Sequence, residues 1–173
     1  MVIKKSFAIA ILFALFSSLV IAQDADQTEP ALSADEKSAL IKEFSRSSQT
    51  DGLTLNFVLL NNKTVDVLFS GSGKYAMRAR ANAATTFYVQ GMPDKRISFD
   101  SQFVVEQDGK TFKGEAINMK NLETGSVEKG TQIAGLIQLG EKIDVTQPFK
   151  IKGNNNAAAE FILSKEAIAI LTN

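Results

Sequence analysis

The sequence predicts a mainly β protein, in which an antiparallel β-sandwich is preceded by one short amphipathic helix. Three observations support this prediction. A helical pattern occupies the segment after residue 33, apolar residues alternate with polar ones from Leu53 onward, and turn residues recur at intervals of roughly 8 to 15 residues. Strands and helices do not alternate along the rest of the chain, so a parallel α/β fold is not expected.

The first 22 residues have the features of an export signal. Lys4 and Lys5 precede an apolar run that ends in small residues before Gln23. Because a membrane span needs about 20 apolar residues, we expect this shorter run to be cleaved. The predicted organisation is a signal peptide over residues 1–22, a flexible leader over 23–32 and a single β-rich domain with an N-terminal helix over 33–173.

The composition excludes several kinds of chemistry. The chain has no Cys and no His, so disulfides, cysteine nucleophiles and Ser-His-Asp catalysis are impossible. The chain has equal numbers of basic and acidic residues, and removal of Lys4 and Lys5 with the signal leaves a small acidic excess. Because such a charge does not attract polyanions, we expect no nucleic-acid partner. The sequence indicates no cofactor and no transmembrane segment in the mature chain. Together with the signal, the lack of Cys predicts a soluble bacterial protein of the periplasm or the medium.

The N-terminal helix is predicted between residues 34 and 45. Ser33 and Glu36 match a capping box, in which each side chain satisfies a free backbone N–H of the first turn. Leu40, Ile41 and Phe44 cluster on one side, and a polar loop over residues 47–52 is predicted to end the helix. We expect the apolar side to cover an edge or end of the sheet.

Four strands are predicted over residues 53–90, from apolar residues at every second position. The sets that share a face in the first three are Leu53, Leu55, Phe57 and Leu59; Val65, Val67 and Phe69; and Tyr75, Met77 and Ala79. Turns are expected at residues 61–63 and 71–73, and the fourth strand at residues 86–90.

Asp108 and Gly109 are the strongest hairpin signal in the chain, because their turn type requires positive φ at both central positions. The alternating pattern runs through residues 97–105 into this hairpin, and Gly114 predicts a bulge or bend in the returning strand. Further strands are expected at residues 132–139, 149–152 and 159–163, with a loop at 153–156. The residues from Ser164 onward fit either a helical turn or a last strand.

Residues 103–163 carry a recurring pattern of glycine and apolar residues. Its members are Phe103-Val104-Val105-Glu106, the Asp108-Gly109 hairpin, Gly125, Val127, Gly130, Gly135, Ile137, Leu139 and Pro148-Phe149-Lys150-Ile151. This pattern resembles the exported immunoglobulin-like β-sandwich domains of unknown function found in bacteria. The resemblance implies an antiparallel immunoglobulin-like β-sandwich, with Gly130 in the turn before a strand that buries Ile133, Ile137 and Leu139. It implies no functional residues.

The candidate ligand-binding residues are Arg78, Arg80, Tyr88 and Gln90 on the predicted third and fourth strands. On the polar face of a hairpin they could bind an anionic or planar ligand, because Arg offers a rigid donor fork and Tyr a stacking surface. The competing interpretation is a solvated strand face.

A cluster of carboxylates is the second candidate, for calcium or for acid–base chemistry. Its members are Glu106, Asp108, Glu115, Glu123 and Glu128. Their spacing does not match an EF-hand, and no metal site is predicted.

The leading functional prediction is an exported, non-enzymatic β-sandwich protein that binds a protein or cell-surface partner, since strand edges are abundant and no catalytic constellation is present. The alternative is a periplasmic carrier of lipid or another apolar ligand, on a curved sheet lidded by the N-terminal helix, an arrangement similar to periplasmic lipoprotein carriers. The concave face of the carrier would be lined by Phe57, Phe69, Phe87, Phe99 and Phe103. A carboxylate-based hydrolase is the third class.

Overall fold

The computed structural model describes residues 32–153 and 157–172, which form four helices and ten strands. In chain order these are α1 (Ala34–Glu43), β1 (Ser45–Thr50), β2 (Leu53–Leu59), α2 (Asn62–Leu68), α3 (Gly71–Ala83), β3 (Thr86–Pro93), β4 (Ile97–Phe99), β5 (Phe103–Gln107), β6 (Lys110–Lys120), β7 (Gly125–Val127), β8 (Ile133–Leu139), β9 (Phe149–Gly153), β10 (Ala157–Phe161) and α4 (Lys165–Thr172). The predicted signal peptide, the predicted leader up to residue 31 and residues 154–156 of the predicted loop lie outside the described residues. None of the described helices is long and apolar enough to cross a membrane.

Eight strands form one antiparallel sheet that curves into a nearly closed barrel. Their order is β1-β2-β3-β8-β6-β5-β9-β10. The two end strands approach each other, since Ser48 Oγ accepts a hydrogen bond of 2.8 Å from the backbone N–H of Ala158. The remaining strands, β4 and β7, pair with each other in a small second sheet. The prediction of a mainly β, antiparallel fold is therefore confirmed, whereas this arrangement does not confirm an immunoglobulin-like sandwich.

Apolar side chains at every second position fill the inside of the barrel. The predicted face of β2 is confirmed, because Leu53, Leu55, Phe57 and Leu59 are all at most 3% exposed. The apolar residues predicted to be buried in β8 are likewise in the core: Ile133, Ile137 and Leu139. Burial of each such side chain favours folding by roughly 1.5 to 3 kcal/mol, so this interior is the main source of stability.

Helices cover the end of the barrel where β1 begins and β10 ends. Leu40 and Ile41 of α1 pack against the core, as do Ile170 and Leu171 of α4. The two helices are joined by a hydrogen bond of 3.0 Å from Ser164 Oγ to Glu43 Oε2. This agrees with the expectation that α1 covers an end of the sheet. The C-terminal segment, for which the sequence fits either a helical turn or a strand, is the helix α4.

The start of α1 is as predicted, but the segment that follows it is not. Ser33 Oγ accepts a hydrogen bond from the N–H of Glu36, and Glu36 Oε2 accepts one from the N–H of Ser33, which confirms the capping box. Residues 47–50, predicted as loop, belong to β1, which pairs with β2 from Ser45 opposite Val58 onward. The polar side chains of β1 carry no alternating pattern, so the strand depends on backbone pairing that a local pattern does not reveal.

The predicted strands containing Val65, Val67 and Phe69 and then Tyr75, Met77 and Ala79 are wrong, because residues 62–83 form α2 and α3. Asn61 Oδ1 accepts hydrogen bonds from the N–H groups of Lys63 and Thr64 at 2.9 and 3.0 Å, which starts α2. In α3 the alanines favour a helix.

The β5–β6 hairpin is confirmed, with Asp108 and Gly109 at φ values of 49° and 73° and Gln107 opposite Lys110. Of the predicted bulge or bend at Gly114, the bulge is wrong. Gly114 pairs in register with both neighbouring strands, and the irregularity lies between Asn118 and Lys120. A glycine is needed at 114 because a Cβ there would lie 2.5 Å from Ile137 Cγ2.

Candidate functional site

The four residues of the predicted ligand site lie on two kinds of element. Arg78 and Arg80 are on α3, and Tyr88 and Gln90 are on β3. Residues 74–90 form a helix followed by a strand, so the predicted hairpin that would bring the four side chains onto one strand face is wrong. The structure places them around the layer that α2 and α3 form on the outside of the barrel.

This helical layer has its own small apolar core. Leu60, Val65 and Leu136 are buried there, and Phe69, Met77, Ala81, Tyr88 and Ile117 pack around them. Phe69 and Tyr88 meet edge to face, with ring centroids 5.8 Å apart. Burial of this half-exposed ring raises the pKa of Tyr88. Tyr88 is therefore mainly a packing residue beneath the helices.

Arg78 is fixed by Asp66 of α2. Its Nε donates a hydrogen bond of 2.9 Å to Asp66 Oδ1, and its Nη2 donates one of 2.5 Å to Oδ2, while Lys74 Nζ lies 3.1 Å from the same carboxylate. Burial acts to raise the pKa of Asp66, but the hydrogen bonds from Arg78 and Lys74 outweigh it and lower that pKa. The hydrogen bond to Asp66 raises the pKa of Arg78. Asp66 thus pairs with two cations, and the three side chains together keep one net positive charge.

Arg80 and Gln90 lie on different elements, α3 and β3. Arg80 Nη1 donates a hydrogen bond of 2.8 Å to Gln138 Oε1 on β8, which ties the end of α3 to the sheet without neutralising its charge. Gln90 is exposed on β3, opposite Asn56 of β2 and Ala134 of β8.

The outward face of α3 carries an exposed aromatic side chain, Tyr75, which is 71% exposed. Around it lie exposed alanines, among them Ala76 and Ala79, and no residue of α3 is buried. The helix contains three basic residues and no acidic one. We call Tyr75, Ala79, Lys74 and Arg78 the α3 surface. Sequence reasoning missed Tyr75 because it assigned this residue to the apolar face of a strand.

Phenylalanine rings lie inside the barrel and contact one another. Phe149 and Phe161 are stacked with centroids 4.9 Å apart, and Phe87 contacts both at 5.8 and 5.6 Å. Phe103 contacts Phe57 and Phe99. Of the five rings predicted to line a concave face, four lie in this core, whereas Phe69 lies outside with the helical layer.

The predicted carboxylate cluster is spread over several elements. Glu106 pairs with Lys152 at 2.6 Å, Glu128 pairs with Arg96 at 3.1 Å, and Glu123 accepts a hydrogen bond from Asn118. Within residues 32–153 and 157–172, no group of three or more acidic side chains is arranged to hold a metal ion.

An open depression of about 370 Å³ lies beside the β5–β6 hairpin. Lys150 stands in its wall directly opposite Glu106 on β5 and Glu160 on β10. Charges of both signs alternate across these strands, which is typical of a solvated sheet face.

Comparison with known proteins finds no matching family model, no matching curated protein and no matching solved structure. Its function is therefore inferred from the geometry of the chain itself.

Proposed function

We propose that this chain is an exported, non-enzymatic binding protein that engages the acidic surface of a protein partner through the α3 surface. The observation that carries the proposal is Tyr75, which is 71% exposed on a helix rich in cations. Tyr and Arg are enriched in protein interfaces, where a ring and a guanidinium supply contact area and directed hydrogen bonds.

The position of α3 supports this role. β2 and β3 are antiparallel neighbours in the sheet, yet α2 and α3 are inserted between them in sequence. A tight turn would be enough to join such strands, so the barrel itself does not require the two helices. Binding residues concentrate on insertions of this kind, because a rigid scaffold holds them in place.

Site-specific photo-crosslinking in the producing cells tests the proposal. A photoreactive amino acid replaces Tyr75, and in a matched control it replaces Ala39, an exposed residue of α1. We expect a discrete light-dependent adduct from position 75 that is absent from position 39 and weakened by Lys74→Glu. Identical adducts from both positions, or none from either, would contradict the proposal.

Export is tested separately by sequencing the N-terminus of the protein recovered from cell fractions. We expect this N-terminus at Gln23. Full-length chain retained in the cytosol would contradict this part of the proposal.

The second candidate is the carrier of a lipid or another apolar ligand. It is favoured by the curved sheet, whose inner side carries Phe57, Phe87 and Phe103 with Phe99 of β4 packed against Phe103, and by the packing of α1 against one end. We rank this candidate second, because the ring contacts support a packed interior. Native mass spectrometry after gentle purification distinguishes them, since a carrier retains ligand mass and a filled barrel shows the polypeptide mass alone.

The immunoglobulin-like resemblance of residues 103–163 stays a prediction. These residues supply β5 to β10. Their glycine and apolar spacing fits an inward-facing strand pattern in a barrel as well as in a sandwich.

A further inference from the structure

β1 is weakly anchored in the barrel. Its sequence is Ser-Arg-Ser-Ser-Gln-Thr, and Ser48 is its one buried residue. Burial of apolar side chains is what stabilises most strands. β1 lacks this contribution and is held mainly by its ladder to β2.

Side chains, rather than a backbone ladder, close the seam between β1 and β10. Among the described residues no backbone hydrogen bond joins these two strands. Ser48 Oγ accepts a hydrogen bond from the N–H of Ala158, and Arg46 Nη2 donates one of 2.5 Å to the carbonyl oxygen of Ile162. The Arg46 guanidinium also lies over the Phe161 ring, 5.6 Å from its centroid. These two side chains thus bond backbone groups that a paired strand would otherwise bond.

The edge of β10 that faces β1 carries a distinct chemistry. Because the N–H of Ala158 points towards β1, the backbone groups of Glu160 two residues later point the same way. In the described part of the chain the Glu160 carboxylate has no ion pair, although Lys150 is directly opposite on β9. Ile162, just beyond the strand, is 59% exposed. The edge thus offers backbone groups at Glu160 that no strand pairs, an acidic side chain without an ion pair and, at Ile162, an exposed apolar side chain.

We propose that β10 binds an extended segment of a protein partner, which displaces β1 and adds to the sheet by backbone hydrogen bonds. The segment carries a basic residue opposite Glu160 and an apolar residue two positions away, opposite Ile162. This inference rests on the proposed function in that the ligand is a protein, but it uses a surface separate from α3.

Hydrogen–deuterium exchange on the full chain tests this inference, with synthetic peptides as probes. The test peptide alternates Thr and Val around a Lys and an Ile two positions apart. One control peptide has Glu in place of the Lys, and another has Pro in the centre, which removes a ladder N–H. In the free protein we expect the Glu160 amide to exchange faster than the amides of β3 and β8. Binding of the test peptide should slow exchange of the Glu160 amide by about tenfold.

Two variants locate the contact. Glu160→Lys should weaken binding of the test peptide by about fivefold or more, because like charges then lie opposite each other. Glu115→Lys, an exposed carboxylate on β6, should leave binding unchanged. No slowing at Glu160, equal slowing by the Pro peptide, or no effect of Glu160→Lys would overturn the inference. Crosslinking from position 75 is independent of these readouts, so either proposal can fail while the other stands.

Discussion

Phe161 is one of the aromatic residues at the centre of the barrel interior. It is 0% exposed, stacks on Phe149 and contacts Phe87. Phe161→Ala removes this ring from its contacts with Phe149, Phe87 and the Arg46 guanidinium, and we expect a loss of about 3 to 5 kcal/mol in the free energy of unfolding. Urea denaturation measures the loss. Tyr75→Ala, at a position 71% exposed, is the control and should change stability by less than about 0.5 kcal/mol. Equal effects of the two variants would contradict a packed interior.

Asp66 makes stability depend on pH at the acidic end. Its pKa is lowered in the folded state, so its contribution is present above the unfolded value of about 3.9 and is lost as the pH falls through the folded value. Asp66→Asn should cost up to about 1 kcal/mol at pH near 7, because the ion pairs are largely exposed. The difference from the native protein should shrink as the pH falls below this unfolded value of about 3.9.

Denaturation at both pH values checks this prediction for Asp66. Asp94→Asn, in an exposed turn, is the matched control and should have no such effect. A difference that stays constant across the pH range would contradict the role of the Asp66 carboxylate.

At the scale of elements, α2 depends on the hydrogen bonds that the Asn61 side chain accepts at its start. Asn61→Ala removes the acceptor for the N–H groups of Lys63 and Thr64, and should cost about 1 kcal/mol. Asn61→Ser should recover most of this loss, since Ser is also a good N-cap. Asn62→Ala, at the exposed next position, is the control. Chemical denaturation of the three variants gives the ranking, and an Asn61→Ala variant as stable as the control would show that the cap is unimportant.

The strands of the barrel tolerate no side chain at certain glycines. A Cβ at Gly135 of β8 would lie 2.2 Å from Leu122 Cδ2 and 2.5 Å from the carbonyl oxygen of Ile117. Gly135→Ala should therefore destabilise the protein by about 1 to 3 kcal/mol. Gly125→Ala on β7 has nothing within 4 Å of the added atom and should be neutral or slightly stabilising. Thermal unfolding compares the two, and the reverse order would contradict the packing described around β8.

Elements with strong local signals could be predicted from the sequence. The capping box of Ser33, the alternating face of β2 and the Asp108-Gly109 turn each depend on neighbouring residues, and each is confirmed. The helices α2 and α3 were mistaken for strands because their apolar residues also fall at every second position. Asn61 with Thr64 three residues later, and the repeated alanines of α3, were the signals that could have corrected this.

At the scale of the whole molecule, an alternating pattern shows that one face of a strand is buried but not which sheet buries it. A sandwich and a barrel both need one apolar face per strand, so the sequence could not distinguish them. Closure depends on contacts between Ser48 and Ala158 and between Arg46 and Ile162, which are far apart in sequence. Likewise Arg78 could be identified as a candidate, but its pairing with Asp66 required the helical layer.

Packing of the barrel by its own aromatic side chains is what leaves its outer surface for binding. Nuclear Overhauser effects in the full chain, labelled at phenylalanine, measure this packing. We expect contacts between the rings of Phe149 and Phe161 and from both rings to Phe87. Absence of these contacts, with the same rings instead close to protons of a co-purified apolar molecule, would contradict it.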